Sequence, residues 1–264
     1  MNIIIHELRT YFKSLLIWSI IIIFLIVVGI SKFSAFANNP EMLAILDAYP
    51  PALLEALNLR AFNLTTVTGF FGIMHIYFAL LVGVAAVLWG ADIIAKEERD
   101  KTADFILTLP ITRQRLLTAK VVAAVIHCAA LVLIIWAASL IAVAPYHPDA
   151  AFYRFLALQM QSLFLLMLIF LAIGIVLACT MRRYKRVTAV AVALLLSSFF
   201  MATLADIDER LDVLKYVSPF KYFDAGVLYR EGQIGGIYWA LTLLIIAVSM
   251  TTAYLAYSRR DIYA

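Results

Sequence analysis

The chain has 264 residues, 65% of them hydrophobic and 14% charged, with a mean hydropathy of +0.97. A soluble domain is nearer half apolar and a quarter charged, so lipid must cover part of this surface. The net charge of +4 would suggest nucleic acid in a soluble protein. Here the basic residues are spread among loops with no continuous stripe, which argues against a nucleic-acid partner and for the basic bias of cytoplasmic loops.

The N-terminal stretch, MNIIIHELRTYFKS, is amphipathic at helical spacing, with Ile4, Ile5, Leu8, Phe12 and Leu15 on one face and His6, Arg9, Thr10 and Lys13 on the other. It predicts an interfacial helix lying flat on the inner leaflet before turning into the first span. A crossing helix needs about 20 mostly apolar residues. Six runs are candidates, at 15–30, 70–95, 117–144, 155–180, 187–205 and 237–257. The first has the layout of a signal peptide, with a basic start and Ala35-Phe36-Ala37 after it, but is read as an uncleaved anchor. The expected fold is an all-α membrane protein, a single transmembrane domain of six helices over residues 1–264.

Six spans place both ends of the chain on one side. That side collects Arg9, Lys13, Lys96, Arg99, Lys101, Arg113, Arg115, Lys120, Arg182, Arg183, Lys185, Arg186, Arg259 and Arg260, which is 14 basic residues against 7 on the other. Both termini are therefore expected in the cytoplasm. Of the outer segments, 31–69 is long, 145–154 is short, and 206–236 opens on Asp206, Asp208, Glu209 and Asp212 and continues as SPFKYFDAGVLYREG. Aromatic residues beside glycine, proline and charge fit either a folded, partly re-entrant helical segment before the last span or an aromatic belt at the headgroups.

The polar stretch between the second and third runs, KEERDKTADFILTLPITRQRLLTAK, is the most informative. Residues 96–101 are too charged to enter lipid. Thr102 can cap a helix and Asp104 suits the positive end of its dipole. Ala103, Phe105, Ile106, Leu107 and Leu109 give about two turns with an apolar face, until Pro110 stops the helix. Thr112 can cap the helix that follows. A short helix on the membrane surface results, either offered to a partner or folded back on its own spans.

This stretch resembles the signature of ABC-2-type permeases, the membrane subunits of bacterial ATP-binding-cassette exporters. The matching residues are Glu97 and Glu98 at the end of the second span, then Thr102, Leu107, Pro110, Ile111, Thr112, Arg113, Leu116, Leu117 and Lys120. The family's usual glycine before the threonine is Lys101 here. YVSPFKYFDAGVL and the C-terminal SRRDIYA are similar to the family's last-span entry and its end. The resemblance implies a type V exporter-like topology, with a cytoplasmic coupling helix seated in a groove of a separate ATP-binding subunit. It implies a bacterial cytoplasmic membrane and a second permease copy, identical or a paralogue. ATP and Mg would be bound by the partner subunit, with no cofactor in this chain. Contacts to that subunit would come from Glu97, Glu98, Thr102–Pro110, Ile111, Thr112 and Arg113.

A P-loop needs G-x-x-x-x-G-K-[ST], and no glycine in the chain is followed by lysine. The chain is therefore not expected to be an ATPase by itself. His6, His75, His127 and His147 are scattered, HExxH is absent, and Cys128 and Cys179 lie in apolar runs outside any metal spacing, so neither a metal site nor a catalytic set is expected. Within the spans, His75, His127, Gln159 and Ser198 mark either a substrate path or interhelical hydrogen bonds. The expected function is a permease driven by that separate subunit, exporting a lipid, drug or amphipathic peptide. The competing readings are an ion-coupled secondary carrier, for which only His75, His127 and Asp92 are at hand, and a non-transporting scaffold or sensor.

Overall fold

The computed structural model describes residues 3–37, 62–99, 112–181, 183–207 and 209–259. Six helices are long and apolar enough to cross a membrane, and no strand occurs among the described residues. They are α1 (Ile3–Phe36), α2 (Val67–Arg99), α3 (Arg113–Val143), α4 (Ala150–Thr180), α5 (Tyr184–Ile207) and, last in the chain, α8 (Gly236–Arg259). Two short helices, α6 (Pro219–Tyr222) and α7 (Ala225–Glu231), precede α8 and follow a 3-10 turn at Glu209–Tyr216.

The helix starts follow local chemistry. Thr66 Oγ1 accepts the Gly69 amide at the head of α2, and Asp149 Oδ1 accepts that of Phe152 at the head of α4. Thr112 caps α3 as expected, taking the Arg115 amide at 3.3 Å. Between α3 and α4 the chain reverses through Pro145 and through His147 at φ 45°.

One expectation fails. The N-terminal stretch does not lie apart and turn; Ile3–Phe36 is a single helix of 34 residues, about 51 Å long. It holds no proline, and no glycine before Gly29, so nothing breaks the hydrogen-bond ladder. Its buried stripe is also not the apolar face. Glu7, Tyr11, Leu15, Ser19, Ile22, Ile26 and Phe33 face inward, whereas Ile5 and Phe12 are about half exposed. In a bilayer the apolar face belongs to lipid and the polar stripe to the protein.

α2 and α4 form the centre, each two-thirds buried over its apolar window against 11% for α8. Their backbones touch. A Cβ on Gly90 would stand 2.4 Å from the Leu171 carbonyl oxygen, and one on Gly174 would stand 2.6 Å from that of Val87. α1 packs chiefly on α3, α5 on α2 and α8 on α4.

The segment before α8 is a folded cap rather than a belt of interfacial rings. Tyr222 and Phe223 are 3% and 2% exposed. Phe220 lies against Phe170 and Phe199, and Tyr222 stacks on Tyr238 at 5.4 Å. Asp224 caps α7 through the Val227 amide, and Gly232, at φ 64°, ends it.

Candidate functional site

The proposed coupling segment falls mostly outside the described residues. This holds for residues 100–111, which include Thr102, Ala103, Asp104, Phe105, Ile106, Leu107, Leu109, Pro110 and Ile111, and for the side chains of Glu97 and Glu98. What is described is the pair of stems on either side, the end of α2 and the start of α3, where Arg113 is the first helical residue.

These stems are joined by α1. Glu7 accepts from Lys96 of α2 through Oε2 and from Lys120 of α3 through Oε1, the latter at 2.9 Å. Lys120 is fully buried and also donates to the Ile93 carbonyl at 3.0 Å. Carbonyl and carboxylate together give its ammonium partners where water does not reach, as a buried charge requires. One turn along α1, Tyr11 donates to Asp92 at 2.8 Å and lies under the Lys96 ammonium, 4.9 Å from the ring centre. Trp89 Nε1 then donates to Ser14 at 2.9 Å. His127 presents its ring edgewise to both Tyr11 and Trp89, with Nδ1 on the Ala123 carbonyl of its own helix. One carboxylate on the first helix thus holds both helices that enter and leave the loop at 100–111.

At the opposite end, His75 and the cap build a second polar centre. His75 Nε2 meets the Phe223 carbonyl at 3.0 Å, so Nε2 carries the proton; Nδ1 has no partner. Lys221 is clasped by Asp206 of α5 and by Asp224, the latter at 3.1 Å. Burial works against its charged form, but the two carboxylates outweigh burial and hold its pKa above the usual lysine value. Ser218 donates to the Ser198 carbonyl at 2.7 Å, fastening the cap to α5. Beside these groups lies an open cleft of about 470 Å³ between α2, α5 and the cap.

The four span residues singled out in the sequence do not converge on one point. His75 and Ser198 each tie a span to the cap, and Gln159 donates to the Phe71 carbonyl one turn from His75. His127 instead belongs with Trp89, fourteen residues along α2 from His75, or about 21 Å of helix rise. Sequence reasoning missed Glu7. Its one signal is that it is the sole acidic residue among the first forty, placed one turn before Tyr11 on what becomes the buried stripe.

No curated protein matches the sequence. A family model described as ABC-2 family transporter protein matches residues 1–262, nearly the whole chain. Membership fits the six apolar helices and the polar segment between the second and third. Proteins of this kind are multi-pass membrane subunits that normally work with an ATP-binding subunit and are not themselves ATPases. The chain therefore belongs to the ABC-2 family of transporter proteins.

Proposed function

We propose that this chain is the permease subunit of an ATP-binding-cassette exporter, paired with a second permease copy and driven by a separate ATP-binding subunit. The segment Thr102–Pro110 is the coupling helix, with Phe105, Ile106 and Leu109 as its docking face and Arg113 at its exit. Both termini lie in the cytoplasm, in a bacterial inner membrane. The cargo is hydrophobic or amphipathic, and His75, Gln159 and Ser198 lie along its path, with His127 nearer the coupling end.

The observation that carries this reading is the double grip of Glu7 on Lys96 and Lys120. A lever moves helices only if its stems do not slide past each other. Here both stems are bonded to one buried carboxylate, so a push delivered through residues 100–111 reaches α1, α2 and α3 together.

The test is the double substitution Phe105→Asp and Leu109→Asp. Two charges on the docking face are expected to abolish ATP-driven transport and release the ATP-binding subunit, while the isolated permease keeps its helicity and stays monodisperse. Undiminished ATP-driven transport by this variant defeats the coupling role. Transport by the purified chain in liposomes under an ion gradient without ATP would identify a secondary carrier instead.

A further inference from the structure

The cleft beneath the cap has two unlike walls. One is apolar, formed by Ile76, Phe199 and Phe220; the other carries Asp206, Lys221 and Asp224, two carboxylates against one ammonium. His75 lines the same cleft at 4% exposure, with Nδ1 lacking a partner. Because a carbonyl oxygen only accepts, the Phe223 contact fixes the proton on Nε2 and leaves Nδ1 a bare acceptor in the neutral ring. A second proton there would put an unpaired charge in a dry site, so the neutral ring is the stable one. The polar wall is thus acceptor-rich and negative overall. Next to the cleft, Phe200 and Leu204 of α5 are 63% and 47% exposed and offer an outward apolar track.

We propose that this cleft binds the primary ammonium group of an amphipathic molecule. Asp206 and Asp224 hold its charge, an N–H is donated to His75 Nδ1, the near part of its apolar body rests on Phe199 and Phe220, and its tail follows Phe200 and Leu204 into the membrane. A primary amine suits the site better than a quaternary one, which has charge but no N–H to give. An anionic amphiphile meets two carboxylates and is refused. The source is either an ethanolamine lipid headgroup or a free lipophilic amine, which share this chemistry. As a statement about cargo the proposal rests on the substrate-path reading of His75, but the binding itself needs neither ATP nor a partner.

The experiment is equilibrium binding of labelled dodecylammonium to the full chain in phosphatidylcholine nanodiscs, without nucleotide. Empty discs give the partition background. Saturable binding of one molecule per chain is expected, weakened at least about fivefold by Asp206→Asn, which keeps the side chain's shape, and by Thr203→Trp, which fills the cleft. Dodecyltrimethylammonium is expected to compete less well than unlabelled dodecylammonium, and dodecanoate not at all. Weaker apparent affinity in phosphatidylethanolamine discs assigns the headgroup as the resident ligand; equal affinity in both discs assigns a free amine. Binding equal to wild type in both variants, or competition by dodecanoate equal to that of the amine, overturns the proposal. Such a failure would leave the coupling reading standing, because the Phe105 and Leu109 test reads transport and partner binding at the other end of the bundle.

Discussion

Glu7 and Lys221 each sit between two side chains of opposite charge, but one lies in a closed seam between helices and the other on the lip of a cleft. At the Glu7 end the acid is 3% exposed and Lys120 wholly buried, with Tyr11, Trp89 and His127 packed as a shell behind them. At the cap end the lysine and both aspartates line open space. A closed seam gives a charge no alternative partner, so it acts as a fastener. An open one lets a partner be exchanged, as a ligand site requires. The same kinds of side chain therefore do mechanical work at one end and recognition at the other.

The largest effect is expected from breaking the fastener. Glu7→Ala strands Lys120 in a site without water, and removing one member of a buried ion pair costs about 3–5 kcal/mol. A lower thermal midpoint in detergent checks this. The double substitution Glu7→Leu with Lys120→Met removes the unmet charge and is expected to recover most of the loss, because hydrophobic replacement of a whole buried pair is often neutral. A double variant that recovers its fold but loses ATP-driven transport separates the mechanical role of the seam from its stability. If the double variant were as unstable as Glu7→Ala, the two residues would not act as a unit.

Between the two ends runs the contact of α2 with α4. Gly174→Val places atoms where the Val87 carbonyl oxygen already stands, 2.6 Å from the new Cβ. Overpacking of this kind costs about 1–3 kcal/mol. Both ends hang from α2, so the loss is expected to appear at the seam and the cap alike in hydrogen-exchange rates. Loosening confined to one end would show that the central pair does not join them.

Much of this architecture can be read in the chain, because a bilayer demands long apolar runs and a run of 20 residues leaves few alternatives. All six helices enclose the expected runs, apart from the last residue of the third, Ala144, which falls in a 3-10 turn; most extend them by several residues. Thr112 was legible as a cap because capping is local. Glu7 was not, for two reasons. Its partners lie 89 and 113 residues away, beyond any periodicity argument. The rule that apolar faces point inward also reverses in lipid, so Ile5 and Phe12 drew attention to the wrong side of α1. The cap was half legible. Its aromatic residues announced an interface, but only the stacking of Tyr222 on Tyr238 and the His75 contact distinguish a folded element from a belt.

Alkali sharpens the comparison. Lys221 has its pKa raised above 10.5 by Asp224 and Asp206 despite burial, and the Tyr222 phenol is raised above 10.0 by burial and by Tyr238. In each case the folded state holds its proton more tightly than the unfolded chain. The stability this lends is complete below the ordinary value and is lost as pH climbs through the raised one. Increasing exchange or proteolysis of residues 213–231 above pH 10.5 is the expected outcome. Lys221→Met should shrink the alkaline step, and an unchanged step would remove the lysine from its cause.

The smallest effect is expected from Tyr222→Phe. The phenol donates to the Tyr216 carbonyl at 2.6 Å, closing the turn that leads from the 3-10 segment into α6. The ring stays stacked on Tyr238 without its hydroxyl, so the loss is one hydrogen bond and about 1 kcal/mol. The freed Tyr216 carbonyl belongs to a residue 43% exposed and can take water, which keeps the cost at this level. The change should speed exchange in 213–224 and leave the Glu7 seam as it was. If the seam loosened equally, the cap and the stems would be one cooperative unit, and the division of labour drawn between the two ends would collapse.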